Sequence, residues 1–178
     1  MSKQPMKIIL VHGGGHGAWC WYKVVAALKS QGYSATAIDL AACGSDPRRM
    51  AEDVTTFEEY AQPLKDFDGF GAGRGEDILV GHSDLSLATM MVRPTSFFEE
   101  DLSRRAAFSK ERYGSVEKVF VICGEDNMLT PSFQRWMVEN SPVKVVVEIN
   151  GADHMAMLSK PQELCECIAA IVNCYTAS

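Results

Sequence analysis

Apolar residues along this chain gather into short continuous runs, separated by stretches where they recur at helical spacing. Lys7 to Val11, Ser34 to Leu40, Asp77 to Val80, Val116 to Cys123 and Val143 to Ile149 read as strands. The unbroken apolar runs among them fit strands covered on both faces, the condition of a parallel sheet. Between strands, Trp19 to Gln31 places Trp21, Val24, Val25 and Leu28 at helical spacing, with Gly32 as its stop. Thr55 or Thr56 caps a helix running to about Phe67, with Glu58 and Glu59 in its first turn. Further helices are expected over Leu85 to Val92, Glu99 to Lys110, Pro131 to Asn140 and Lys160 to Tyr175, the last with Pro161 in its first turn. Strands alternating with helices predict an α/β fold with a mostly parallel sheet flanked by helices, one domain over residues 1–178.

Composition narrows the partners. A chain of 178 residues can bury its own core, and 47% hydrophobic with 22% charged residues is ordinary for a soluble protein. A net charge of −6 argues against nucleic acid, which needs a concentrated basic surface. Met1 to Met6 is too short and polar for a signal peptide, and no apolar run approaches a membrane span. A cytoplasmic location and no membrane partner are therefore expected. Cys20, Cys43, Cys123, Cys165, Cys167 and Cys174 are scattered without CxxC pairs, so they are expected to be reduced, mostly buried, and not metal ligands.

His12-Gly13-Gly14-Gly15-His16-Gly17-Ala18 lies between the first strand and the first helix. Gly13, Gly15 and Ala18 satisfy a dinucleotide fingerprint, with Asp39 ending the second strand about 20 residues on, as that motif expects. The same loop suits an oxyanion hole, in which the Gly14 N–H would face a tetrahedral intermediate beside the N–H of Asp84. A glycine-permitted turn with no ligand is the third reading. The loop alone does not choose among them.

The chemistry downstream does. Gly81-His82-Ser83 follows the third strand and is the first half of G-x-S-x-G, the strained strand-to-helix turn that lifts a nucleophilic serine. Asp126 follows the fourth strand and His154 the fifth, so Ser83, Asp126 and His154 stand in the chain order of α/β-hydrolases. Singly, each has a plainer reading as a helix cap, a turn residue or a surface histidine. Together, at the ends of three strands, they form a candidate nucleophile, acid and base. Asp153 competes as the acid, but its place beside His154 suits a turn. A dinucleotide reading explains none of the three.

These residues sit in longer stretches that resemble the plant methyl esterases and hydroxynitrile lyases of the α/β-hydrolase superfamily, salicylate methyl esterases included. The stretches include Val11-His12-Gly13, His16 to Tyr22, Asp46 to Arg49, Thr56 to Tyr60, Val80 to Ser83, Phe133-Gln134-Arg135-Trp136-Met137 and Gly151 to Leu158. The resemblance implies an α/β-hydrolase fold, a triad of Ser83, Asp126 and His154, and Gly14 in the oxyanion loop. It implies a small apolar or aromatic ester as substrate, no cofactor, no metal, and a homodimer as the assembly the family surface allows. Within the family, the lyases place threonine, glutamate and lysine where this chain has Gly14, His82 and Met155, so ester hydrolysis is favoured over cyanohydrin cleavage.

One departure is large. Leu85 occupies the elbow's second glycine position, and Asp84 to Ala88 matches a segment that in relatives follows a further strand and most of a cap. The chain reads as a family member lacking an internal block, with residues 84–112 as the cap remnant. Three expectations follow: Leu85 crowds the elbow; loss of a strand either lets its neighbours pair directly, moving Asp126 away from His154, or leaves the sheet with a gap and unpaired edges; and an open groove weakens selectivity. Weak or absent turnover, and a non-catalytic ligand- or partner-binding role, follow as the alternative.

Overall fold

The computed structural model describes residues 6–67, 77–82, 98–104 and 116–176. Ser83, Asp84, Leu85 and most of 84–112 lie outside the described residues. The chain gathers into two compact units: one takes in the residues up to Arg104 and the end of the closing helix from Ala169, and the other runs from Arg105 to Ile168.

In the first unit, β1 (Lys7–Val11) pairs in parallel with β2 (Ser34–Ile38) on one side and β3 (Ile78–Gly81) on the other. Ile8, Ile9 and Leu10 are fully buried, as an unbroken apolar run at a sheet centre requires. The helix expected from Trp19 divides into a 3₁₀ turn (Ala18–Trp21) and α1 (Tyr22–Ser30), which buries Val24 and Leu28. Gly32 follows with φ +87, the left-handed stop its position predicts.

Thr56 caps α2 (Phe57–Tyr60) by a full capping box: its hydroxyl accepts from Glu59 N, and the Glu59 carboxylate accepts from Thr56 N. The single helix expected through Phe67 breaks at Ala61, and α3 (Gln62–Asp66) begins with Pro63 in its first turn. Proline has no N–H to continue the ladder, so a new first turn is where it fits. Within residues 84–112, α4 (Glu99–Ser103) is described; Asp101 accepts from Phe57 N at 2.9 Å. Phe98 sits 5.4 Å from the Tyr60 ring and 6.2 Å from Phe57, buried in the cluster around Ile38, Leu40 and Val54.

In the second unit, β4 (Val119–Cys123) and β5 (Val145–Ile149) pair in parallel, with Cys123 opposite Ile149. Helix α5 (Pro131–Glu139) follows β4 and is capped by Thr130. A short α6 (Ala156–Ser159), which periodicity did not predict, follows β5. The closing α7 (Pro161–Thr176) buries Leu164, Cys165 and Ile168. All six cysteines are thiols outside any disulfide, and among the described residues no helix is long and apolar enough to cross a membrane.

Candidate functional site

Two sets of loops at strand ends carry the candidate chemistry, one in each unit. In the first, the glycine loop after β1 is held by side chains that the dinucleotide fingerprint would assign elsewhere. His12 donates from Nδ1 to Gly13 O at 2.6 Å and accepts at Nε2 from Leu40 N at 3.0 Å. A carbonyl only accepts and an amide only donates, so these partners set His12 as the Nδ1–H tautomer, tying the end of β1 to the end of β2. His16 donates from Nδ1 to Gly14 O at 3.0 Å, and Gly15 turns the chain at φ +71. The His16 ring stacks on Trp19 at 5.7 Å and meets His82, the residue before Ser83, edge-on at 6.4 Å.

Asp39 is the acidic residue a nucleotide ribose would need, but its carboxylate serves the loop itself. It accepts from Ala18 N at 2.6 Å, from Ser45 N at 3.0 Å and from the Ser45 hydroxyl at 2.7 Å. Burial raises its pKa, while these bonds and the nearby His12 outweigh burial and hold it below the ordinary carboxylate value. The backbone approach this demands is close: a Cβ on Gly17 would fall 2.5 Å from Gly44 Cα.

Asp46 clasps the loop that follows β2. Arg48 donates to both of its oxygens, at 2.9 Å from Nε and 2.6 Å from an Nη, and Ala42 N adds a bond at 3.1 Å. The Arg48 bonds, against the smaller cost of burial and with help from the Ala42 and Arg48 amides, bring the Asp46 pKa down to about 2. A carboxyl depressed in the folded state stabilises above its unfolded pKa of about 3.9 and loses that contribution as pH falls through its folded value. Asp46→Asn should therefore melt below the unmodified protein at pH 7, with the gap narrowing as pH falls from about 4 towards 2. Melting curves across that range check it; a gap independent of pH would show that the charge is not the source.

In the second unit, the loops after β4 and β5 are laced together by backbone bonds. Gly124 N donates to Ile149 O at 3.0 Å, and Glu125 N donates to Ala152 O at 2.8 Å. This lacing brings Asp126 to His154, where Asp126 Oδ2 accepts from His154 Nδ1 at 2.8 Å. The Asp126 side chain is 3% exposed and that of His154 14%. Asp126 Oδ1 accepts from Met128 N at 2.8 Å and Leu129 N at 2.9 Å, so the aspartate is both a turn residue and a partner for the histidine. Burial pushes its pKa up, but the bonds from His154, Leu129 N and Met128 N, with the His154 charge, bring it below the ordinary value. The carboxylate is therefore the acceptor, and the proton it receives sits on Nδ1 of His154.

The expected separation of Asp126 from His154 is overturned by this contact. Both residues follow strands that pair with each other, so their juxtaposition depends on the β4–β5 register and not on what precedes β4. Asp153 keeps to its own turn, accepting from Met155 N at 2.9 Å and from the Ser159 hydroxyl at 2.6 Å. Gln134, quoted above only as part of a motif, proves to be buried against the Asp126 loop. Its signal in the sequence is a polar residue at an inward position of α5, where helical spacing calls for an apolar one. Among the described residues no cluster of side chains could hold a metal ion.

A family profile described as the alpha/beta hydrolase family matches residues 8–86. Methylesterase 3 of Arabidopsis thaliana is 31% identical over 262 positions, covering 98% of this chain and all of the relative. Norfluorocurarine synthase 2 of Strychnos nux-vomica is 31% identical over 259 positions, with 97% of each chain covered. Alignments longer than the 178-residue chain itself mean that these relatives carry residues that face gaps in this chain. Among solved structures, polyneuridine aldehyde esterase is similar with a TM-score of 0.86 at 28% identity, over 94% of this chain and 99% of that one. Tomato methylketone synthase I in complex with 2-tridecanone is similar with a TM-score of 0.85 at 28% identity, over 96% and 99%.

Proposed function

This chain belongs to the plant methylesterase-like α/β hydrolases, and on that premise we propose that it hydrolyses small apolar or aromatic carboxylic esters through an acyl-enzyme on Ser83. The observation that carries the reading is the Asp126–His154 contact at 2.8 Å with the proton on Nδ1. That tautomer leaves a lone pair on Nε2, the form a general base needs.

In the proposed reaction, Ser83 Oγ attacks the ester carbonyl carbon while its proton passes to His154 Nε2. The N–H groups of Gly14 and Asp84 receive the oxyanion. The C–O bond to the alcohol then breaks, and the leaving oxygen takes the proton from Nε2. Water repeats the sequence on the acyl-enzyme and releases the acid. Asp126 stays ionised throughout and stabilises the imidazolium while it lasts. No cofactor or metal enters these steps.

A serine-directed fluorophosphonate probe tests the reading. The intact chain should label on Ser83, and Ser83→Ala and His154→Ala should each abolish labelling. A natively folded chain that takes up no probe would overturn hydrolysis. It would instead favour the second reading, a ligand-binding descendant without turnover, for which Leu85 at the elbow and the missing internal block argue.

A further inference from the structure

The stretch Phe133 to Met137 stands out in the sequence, yet the proposed reaction uses none of it. Phe133, Arg135 and Trp136 are exposed on α5, while Gln134 between them is only 4% exposed. A buried carboxamide costs free energy unless its donors and acceptor are matched, and a leucine or methionine would fill the space without that demand. Every polar atom of Gln134 is engaged. Its Oε1 accepts from Cys123 N at 2.9 Å, and its Nε2 donates to Leu129 O at 2.6 Å and Cys123 O at 3.2 Å. The same Nε2 also reaches Asp126 Oδ2 at 3.4 Å.

Those partners are not scattered. Cys123 and Leu129 are the two ends of the loop that has Asp126 at its middle, so one side chain holds both ends and touches the centre. Holding Leu129 keeps the Met128 and Leu129 amides aimed at Asp126 Oδ1. With Oδ1 fixed, the rotation of the carboxylate is fixed, and Oδ2 is left facing His154.

We propose that Gln134 is a positioning residue for the Asp126–His154 pair, acting by clamping the loop that carries the aspartate. The proposal rests on reading that pair as catalytic, but its test does not depend on turnover.

The measurement is the His154 Nδ1 proton in nitrogen-labelled protein at neutral pH, assigned by its disappearance in His154→Ala. Gln134→Met keeps the length of the side chain and removes every bond; Gln134→Glu keeps the acceptor for Cys123 N and removes the amide donors. Both should speed exchange of the Nδ1 proton by about tenfold, the change expected from losing about one buried hydrogen bond. Trp136→Ala, an exposed neighbour on the same helix, should leave the proton unmoved. A folded Gln134→Met or Gln134→Glu with unchanged exchange would overturn the proposal.

The unmodified chain gives a second reading that needs no variant. The Gln134 side-chain amide protons should be protected from exchange, and exchange at the rate of an exposed glutamine would equally overturn the clamp. A chain that takes up no serine probe yet shows these responses would sink the esterase reading and leave the clamp standing. A probe-reactive chain whose His154 proton ignores Gln134 would do the reverse.

Discussion

Asp126→Asn is expected to fold normally and to lose about 10⁴-fold in the rate of ester hydrolysis, the scale on which a triad fails when its histidine holds the wrong tautomer. The reason lies in the two faces of the carboxylate. Met128 N and Leu129 N both donate to Oδ1, so the asparagine carbonyl must take that position. Its NH₂ is then forced to face His154. An NH₂ can only donate, so Nδ1 becomes the acceptor and the imidazole proton moves to Nε2, the atom that should receive the proton of Ser83. Steady-state hydrolysis of a short p-nitrophenyl ester, compared with thermal melts of both proteins, separates the effect from unfolding. A variant with rates close to the unmodified protein would remove Asp126 from the mechanism.

Gly17→Ala should lower stability by about 3 kcal/mol, as an overpacked contact that also strains a charged hydrogen bond. Its Cβ would stand 2.5 Å from Gly44 Cα, 2.8 Å from Trp19 Cδ1 and 2.9 Å from Asp39 Oδ1. Backbone meets backbone at the first contact, and Asp39 is tied to Ala18 and Ser45, so little can give way. Gly32→Ala is the matched control. There φ is +87 and nothing lies within 4 Å, so the cost reduces to backbone strain of about 1 kcal/mol. Urea titrations of the two variants should place their midpoints clearly apart, with Gly17→Ala far lower; equal midpoints would mean that the close approach of the two loops is not a stability determinant.

The glycine loop illustrates where reading a chain linearly stops. Gly13, Gly15, Ala18 and Asp39 satisfy a nucleotide fingerprint by type and spacing, and spacing cannot say what the aspartate holds. In the folded chain it holds the amide of Ala18, so the fingerprint's own acid closes the turn. The helix expected from a Thr55 or Thr56 cap to about Phe67 marks a similar limit: a threonine cap was legible, while the choice of Thr56 and the break at Ala61, where Pro63 is accommodated in a new first turn, belong to the folded chain.

The sequence by itself determined the five strands with α1, α5 and α7 in their order, the reduced cysteines and the positions of Asp126 and His154 after consecutive strands. Each of these depends on periodicity, composition or short-range turn chemistry, which a linear chain carries openly. It also pointed to an internal block missing after Ser83, through the match of Asp84 to Ala88 to a later family segment. Only the tertiary structure decided that Asp126 still meets His154. Their contact depends on the register of β4 against β5 and on backbone bonds between residues some 25 positions apart, such as Gly124 to Ile149. It decided the employment of His12, Asp39 and Gln134 for the same reason. A buried polar group takes whichever partner the fold brings within about 3 Å, and that pairing is a property of strand register rather than of spacing along the chain.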